Sequence, residues 1–186
     1  MKKSNNTIDD VQKISIARSV RRRLPWLVVG LTGGLAAAGI ISSFEETLSQ
    51  NLFLAAFIPL IVYMSDAVGT QMESFAIRDF ALHKHLKFRK YFFRQFLVVL
   101  IIGVILSLVL YAYTLITKQD TIIAAILATS LFLAILSSII TGLLIPFLFN
   151  KTRLDPANAS GPVATIVQDL LSVTIYFVIA HFLLSS

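Results

Sequence analysis

The sequence predicts an all-α membrane protein with five transmembrane helices. Of its 186 residues, 56% are hydrophobic and only 14% are charged, whereas soluble domains carry roughly 45–50% apolar and about 25% charged residues. Five stretches reach the length of about 20 mostly apolar residues that a helix needs to cross a bilayer. The basic residues also fall on one side of a chain that crosses the membrane five times.

The five predicted spans are joined by short polar connections. They cover residues 25–43, 51–82, 92–117, 121–149 and 161–184. Residues 25–186 are therefore expected to form one five-helix transmembrane domain. Residues 1–24 precede it and are too polar for the core of a signal peptide. This basic segment is expected to be cytoplasmic, either as a short helix on the membrane surface or as a solvated tail.

Orientation follows from the lysines and arginines, which accumulate on cytoplasmic loops. The amino-terminal segment, the connection after the second span and the connection after the fourth are all basic, and they share one side. Lys118 alone falls on the other side. We therefore expect a multi-pass protein of the cell (inner) membrane with a cytoplasmic amino terminus and an external carboxyl terminus.

Composition excludes several function classes. The chain contains no cysteine, so disulfides, thiolate metal sites and cysteine nucleophiles are excluded. The net charge of +6 lies at the membrane flanks, so we expect no nucleic-acid partner. No zinc motif and no Ser/Lys or Ser/His arrangement lies in the spans. We therefore expect neither an enzyme nor a cofactor.

The fifth span carries a carboxylate at membrane depth. Asp169 lies eight residues after Gly161, or about 12 Å at the helical rise of 1.5 Å per residue. Thr165, Asp169, Ser172 and Tyr176 are spaced by four, three and four, which predicts one polar face lining a pore or cavity. Because a charge inside a bilayer is costly, such a residue usually serves function. The alternative is a protonated or hydrogen-bonded carboxyl in a packed interface.

The second span has a similar polar interruption. Asp66, Gly69, Thr70 and Glu73 share a helix face. Pro59 lies about two turns earlier and can kink the helix, which frees carbonyl oxygens as ion ligands. Glu73 lies nearer the cytoplasmic end, so it either joins the ion path or reaches water at the interface.

These oxygen ligands fit a hard divalent cation. Mg²⁺, Ca²⁺ and Mn²⁺ all prefer oxygen. Mg²⁺ gives up its water reluctantly, so a few carboxylates in a roomy site suffice. An anion path would need Lys or Arg within the spans, and none is central. Asp155, at the expected cytoplasmic mouth of the fifth span, either caps that helix or attracts cations.

Motifs in three of the predicted spans resemble one known family. In the fifth span they are residues 154–162, Asp169 and residues 175–177; in the second, Pro59, residues 68–71 and Arg78; and in the first, residues 23–26, 33–34 and 44–45. They resemble the last, second and first helices of the MgtE family of magnesium channels. The resemblance extends from about residue 23 to residue 184, and the motif before the fifth span is its most specific part.

The resemblance implies a homodimer with a pore between the second and fifth helices of both subunits. The family's pore aspartate falls on Asp169, so two symmetry-related carboxylates would face one hydrated Mg²⁺, which is the transported ion. Thr165 and Gly161, one and two turns earlier, fall where the family lines that site. The metal-site candidates are therefore Asp169, Thr165, Gly161, Asp66, Glu73 and Asp155.

The chain departs from the family pattern at three places. Residues 66–67 are Asp-Ala where the family usually has Gly-Asn, Glu73 occupies a usually uncharged region, and Ser172 replaces a glycine. The added acids are expected to alter cation selectivity or to add proton coupling. Only about two dozen residues precede the first span, so we expect this polypeptide to lack the family's cytoplasmic sensor.

Three functions remain open from the sequence. The first is a channel or transporter for a divalent cation, most plausibly Mg²⁺. The second is an antiporter or exporter that couples the divalent cation to H⁺ or Na⁺, which the extra acids Asp66 and Glu73 suggest. The third is a membrane subunit that needs a separate partner, which the basic amino-terminal segment suggests.

Overall fold

A computed structural model describes residues 14–44, 51–82, 87–117, 119–151 and 156–185. The described residues are helical almost throughout. The helices are α1 (Ile16–Ser43), α2 (Leu52–Leu82), α3 (Phe88–Ile116), α4 (Thr121–Ile139), α5 (Ile145–Lys151) and α6 (Pro156–Leu184), with a π-helical turn (Ile140–Leu144) that joins α4 to α5.

Five helical stretches among the described residues are long and apolar enough to cross a membrane. The fourth, Thr121–Phe149, continues from α4 through the π-helical turn into α5. Helices suit this sequence because a spanning segment must satisfy its own backbone hydrogen bonds when no water is present. The predicted all-helical protein with five membrane-spanning segments is thus confirmed for the described residues.

The first helix begins earlier than predicted. The sequence placed the span at residues 25–43, but α1 begins at Ile16 and contains Pro25 in its interior. Proline removes one backbone hydrogen bond and often ends a helix. Here the helix continues through it, so residues from Ile16 onward in the basic segment belong to α1. Residues 1–13 lie outside the described residues.

Three helices form the centre of the protein. Helices α2, α4 and α6 pack against one another, whereas α1 packs mainly on α6 and α3 mainly on α4. The fourth span is the most deeply buried and the first is the least. Helices α1 and α3 carry rows of exposed apolar side chains such as Leu31, Leu35, Ile105 and Leu108. This arrangement fits helices that face lipid on one side.

The π-helical turn lies directly against α2. A Cβ atom added to Gly142 would overlap the carbonyl oxygen of Gly69. A Cβ atom added to Gly69 would lie 3.2 Å from Thr141 Oγ1. Both glycines therefore allow the two backbones to approach closely, as small residues do at helix contacts in membranes. This contact places the turn beside the polar middle of α2.

Candidate functional site

The site is built on the antiparallel pair α2 and α6. Side-chain hydrogen bonds join the two helices at three levels: Ser160 Oγ donates to Glu73 Oε1 (2.6 Å), Ser65 Oγ and Ser172 Oγ lie 2.7 Å apart, and the Tyr176 hydroxyl donates to Leu54 O (2.7 Å). As the residue number rises along α6, that of the partner on α2 falls. The pairing fixes which residues of the two helices face each other.

Helix α6 carries a buried row of side chains, which we call the polar seam. It consists of every fourth residue: Ser160, Ala164, Gln168, Ser172, Tyr176 and Ala180. Each is at most 5% exposed. Every polar member is hydrogen-bonded to another helix. Such bonding is expected because an unsatisfied polar group in an apolar interior is costly.

Gln168 is the centre of the polar seam. Thr141 Oγ1, in the π-helical turn, donates to Gln168 Oε1 at 2.6 Å. Gln168 Nε2 lies 3.2 Å from Ala134 O, 3.1 Å from Ser137 Oγ and 3.0 Å from Ser172 Oγ. The amide thus connects α6 to α4 and the π-helical turn, while Ser172 connects α6 to α2.

A second row on α6, which we call the accessible edge, contains Gly161, Thr165 and Asp169. Thr165 is exposed, and Gly161 and Asp169 are half-buried. A Cβ atom on Gly161 would have no described heavy atom within 4 Å other than its own local backbone. The open space therefore lies at the Gly161 end of the edge, about two turns from the half-buried Asp169.

The predicted single polar face of the fifth span divides into two. Thr165 and Asp169 lie on the accessible edge, whereas Ser172 and Tyr176 are buried in the polar seam. Thr165, Asp169 and Ser172 lie within about 60° of one another around the helix axis, since each residue advances it by about 100°. Their exposure therefore differs because of their positions along α6: Ser172 and Tyr176 lie where Ser65 and Leu54 of α2 cover that face.

Asp66 on α2 and Asp169 on α6 lie at neighbouring levels of the helix pair, because Ser65 meets Ser172 across it. Both carboxylates are half-buried. No Lys, Arg or His occurs between residues 52 and 77 or between residues 162 and 180. The pair therefore forms an acidic region at membrane depth with no basic residue on either helix at that level, a setting that attracts a cation.

Glu73 lies about two turns from Asp66, towards the start of α6. It is 8% exposed, and it accepts the hydrogen bond from Ser160. The prediction left open whether Glu73 reaches water or joins the ion path. Its side chain in fact points into the α2–α6 contact.

The described residues do not form a closed metal cage within one chain. No group of three or more His, Asp or Glu that could hold a metal occurs among them. Asp155, the remaining candidate, lies outside the described residues. What the described part of one chain presents is two half-buried carboxylates on neighbouring helices. So few protein ligands suit a hydrated ion better than a dehydrated one, because Mg²⁺ keeps several of its waters in protein sites.

Gln168 was not identified from the sequence. The neighbouring Asp169 was identified instead, because a carboxylate in a membrane span is a stronger indication of function than an amide. The polar residues 168, 172 and 176 recur every four positions, however, and that spacing predicts a common face. It would have grouped Gln168 with Ser172 and Tyr176, although it does not show that this row is buried.

A sequence model of the MgtE family, described as divalent cation transporters, matches residues 58–179. The chain is 37% identical over 161 residues to a magnesium transporter MgtE of Bacillus subtilis (strain 168), a match that covers 86% of this chain and 36% of that protein. It is 33% identical over 175 residues to the Enterococcus faecalis magnesium transporter MgtE, covering 92% of this chain and 39% of that protein.

A third relative, from Thermus thermophilus, is also named magnesium transporter MgtE. It is 26% identical over 169 residues, which cover 88% of this chain and 37% of the relative. The chain thus spans less than two fifths of the length of the three relatives. The family model, which matches residues 58–179, contains every described candidate residue of the site.

Proposed function

This chain belongs to the MgtE family of divalent cation transporters, and from that premise we propose that it forms a membrane pathway for a hard divalent cation, with Mg²⁺ as the transported ion. It is a multi-pass helical membrane protein. The ion is the substrate and not a resident cofactor.

The observation that carries this proposal is the position of Asp169. Its carboxylate lies in the middle of α6, on the accessible edge and at a level neighbouring that of Asp66, with no basic side chain at that level of either helix. A carboxylate at this depth stabilises a passing cation by direct charge attraction and through hydrogen bonds to its bound waters. Thr165 and the open space at Gly161 continue the same edge towards the start of α6.

A homodimer completes the proposed site. The described part of one chain contains too few clustered acidic residues to surround an ion. A two-fold axis beside the accessible edge would place two copies of Asp169 and two of Asp66 around one hydrated cation. Closed two-fold symmetry is the commonest arrangement of oligomeric proteins.

The direct test is ion flux into liposomes that contain the purified protein and a trapped fluorescent Mg²⁺ indicator. The comparison is between the unaltered protein and Asp169→Asn, which keeps the size of the side chain and removes its charge. Asp79→Asn is the matched control, because Asp79 lies near the end of α2 and is paired with Arg78 at 3.1 Å.

We expect Asp169→Asn to lower Mg²⁺ flux by at least about tenfold, the factor that corresponds to about 1.4 kcal/mol of lost interaction. Asp79→Asn is expected to retain flux. Equal flux in the unaltered protein and Asp169→Asn would exclude Asp169 as the site and leave Asp66 or Glu73 as the candidate. An absence of flux in the unaltered protein would contradict independent transport and favour a subunit that requires a partner.

A second candidate function is antiport of the divalent cation against H⁺ or Na⁺. The supporting observation is Glu73, which is buried in the α2–α6 contact, accepts a hydrogen bond from Ser160 and lies about two turns from Asp66 on the same helix. A carboxyl group in that position is able to take up a coupling ion when the divalent cation leaves. Flux that disappears when the H⁺ and Na⁺ gradients are both collapsed favours antiport, whereas flux that follows the Mg²⁺ gradient alone favours a channel.

A further inference from the structure

Asp169 and Gln168 are adjacent in sequence but point in different directions. Successive residues of an α-helix are separated by about 100° around its axis. Gln168 is fully buried and faces α4, whereas Asp169 is half-buried and lies on the accessible edge. The direction of the carboxylate is therefore linked to the rotation of α6 about its own axis.

Towards α2, the rotation of α6 is constrained by the hydrogen bonds of Ser160, Ser172 and Tyr176. Towards α4 and the π-helical turn, it is constrained by Gln168. The hydrogen bonds of Gln168 to Thr141 and to the carbonyl oxygen of Ala134 are directional, and both groups belong to the most buried span. They fix one rotation of α6 relative to the centre of the protein.

We propose that Gln168 is a positioning residue for the cation site: its hydrogen bonds to α4 and to the π-helical turn hold α6 at the rotation that keeps Asp169 on the accessible edge, at a level neighbouring that of Asp66. The importance of that rotation for transport rests on the proposed function. Whether Gln168 sets the rotation of α6 does not depend on that function and can be measured by itself.

The cysteine-free sequence allows a direct measurement of the rotation. Ser65 Oγ and Ser172 Oγ lie 2.7 Å apart across α2 and α6. The paired substitution Ser65→Cys and Ser172→Cys therefore places two thiols close enough to form a disulfide, the only one that the protein contains. The rate at which a membrane-permeant oxidant closes this disulfide reports how often the two helices face each other correctly.

The experiment compares this cysteine pair with Gln168 intact and with Gln168→Met, which keeps the length of the side chain but removes its hydrogen bonds. Remaining thiols are counted after denaturation. We expect disulfide formation to be about tenfold slower with Gln168→Met, the factor that corresponds to the loss of roughly one or two net hydrogen bonds. Thr141→Val removes one donor with little change of shape, and we expect it to slow the reaction by about threefold.

Flux measurements on the same proteins test the consequence for transport. Before oxidation, we expect Gln168→Met to raise the half-saturating Mg²⁺ concentration by about tenfold. After the disulfide has locked the rotation, that concentration should return to within about twofold of the value with Gln168 intact. A side chain that contributed only to stability would lower the melting temperature, and the disulfide would not restore the Mg²⁺ dependence.

Two results would overturn the positioning role. The first is an unchanged rate of disulfide formation in Gln168→Met. The second is a complete disulfide that leaves the altered Mg²⁺ dependence in place. If Asp169→Asn proves to have no effect on flux, the proposed cation site fails, but the rate of disulfide formation still decides whether Gln168 sets the rotation of α6.

Discussion

Ser160 and Glu73 illustrate how individual side chains hold the two helices of the site together. Burial of a carboxylate is costly unless donors surround it. Ser160 Oγ provides one donor at 2.6 Å, and both residues are buried. This bond lies near the start of α6, so it joins α2 and α6 at one end of the candidate site.

Ser160→Ala should therefore destabilise the protein. The substitution leaves Glu73 with one donor fewer in a buried position, for which the cost is about 1–3 kcal/mol. Ser74→Ala is the control, because the exposed Ser74 bonds only to the carbonyl oxygen of Thr70 in its own helix. Thermal unfolding in detergent measures both variants. A melting temperature for Ser160→Ala as high as that of Ser74→Ala would show that this bond contributes little.

Tyr176 has the corresponding role at the opposite end of α6. Its hydroxyl donates to Leu54 O at 2.7 Å, and the side chain is 1% exposed. Tyr176→Phe keeps the packed ring but leaves a buried carbonyl oxygen without this donor, so we expect a loss of about 1 kcal/mol. Tyr63→Phe is the control because Tyr63 is 70% exposed. Unfolding of both variants under identical conditions checks the difference, and equal stabilities would contradict it.

At the scale of the elements, the π-helical turn Ile140–Leu144 is the feature that most shapes the site. It places Thr141 against Gln168 and Gly142 against α2. Single π-helical turns inside α-helices frequently occur at functional sites. In this protein the Thr141 hydroxyl of the turn donates a hydrogen bond to Gln168 and so joins the turn to α6.

Gly142→Ala tests whether this close contact is required. An added Cβ atom would overlap the Gly69 carbonyl oxygen and lie 2.9 Å from Met72 Cε, so a backbone has to move. We expect a loss of about 1–3 kcal/mol, as for other overpacked sites. Gly34→Ala is the control, because a Cβ atom there meets no described neighbour within 4 Å. Alanine favours helix at such an open position, so Gly34→Ala should unfold at the same temperature or higher.

A Gly142→Ala protein as stable as Gly34→Ala would mean that the turn and α2 separate easily. The flux of Gly142→Ala is informative in the same experiment. Because the turn carries Thr141, its displacement should weaken the hold on Gln168 and reduce Mg²⁺ flux together with stability.

The sequence predicted the elements better than their internal detail. Apolar length located α2, α4–α5 and α6 to within a few residues, because crossing a bilayer imposes a minimum length. The π-helical turn was not predicted, since a single Thr-Gly pair within residues 140–144 does not distinguish a π-helical turn from a continuous α-helix. The predicted first span begins at residue 25, where the apolar run starts, whereas α1 begins at Ile16 and includes the basic residues before Pro25.

The sequence predicted some residues of the site but not how they are arranged. Asp66, Glu73 and Asp169 are conspicuous because charge is rare in a membrane span. Which of them face one another depends on how α2 and α6 are paired, and sequence spacing along one helix does not contain that information. The division between the polar seam and the accessible edge required the positions of both neighbours of α6.

At the scale of the whole molecule, one chain leaves the accessible edge of α6 only partly covered by its own described helices. Gly161 and Asp169 are half-buried, and Thr165 between them is exposed. An exposed polar edge in the bilayer is unfavourable against lipid. A second copy of the chain, related by two-fold symmetry, would enclose this edge and the water that an ion needs.

The homodimer can be tested with single cysteines, because the natural chain has none. Thr165→Cys should be cross-linked to its counterpart by a short bifunctional thiol reagent and run at twice the mass on a denaturing gel. Leu108→Cys is the control, since Leu108 is 63% exposed on α3, which packs mainly on α4. In a dimer closed along α6, residue 108 of the two copies lies far apart, so no cross-link should form. Cross-linking through residue 108 but not through residue 165 would place α3 at the subunit contact and leave the carboxylate of Asp169 without its symmetry mate.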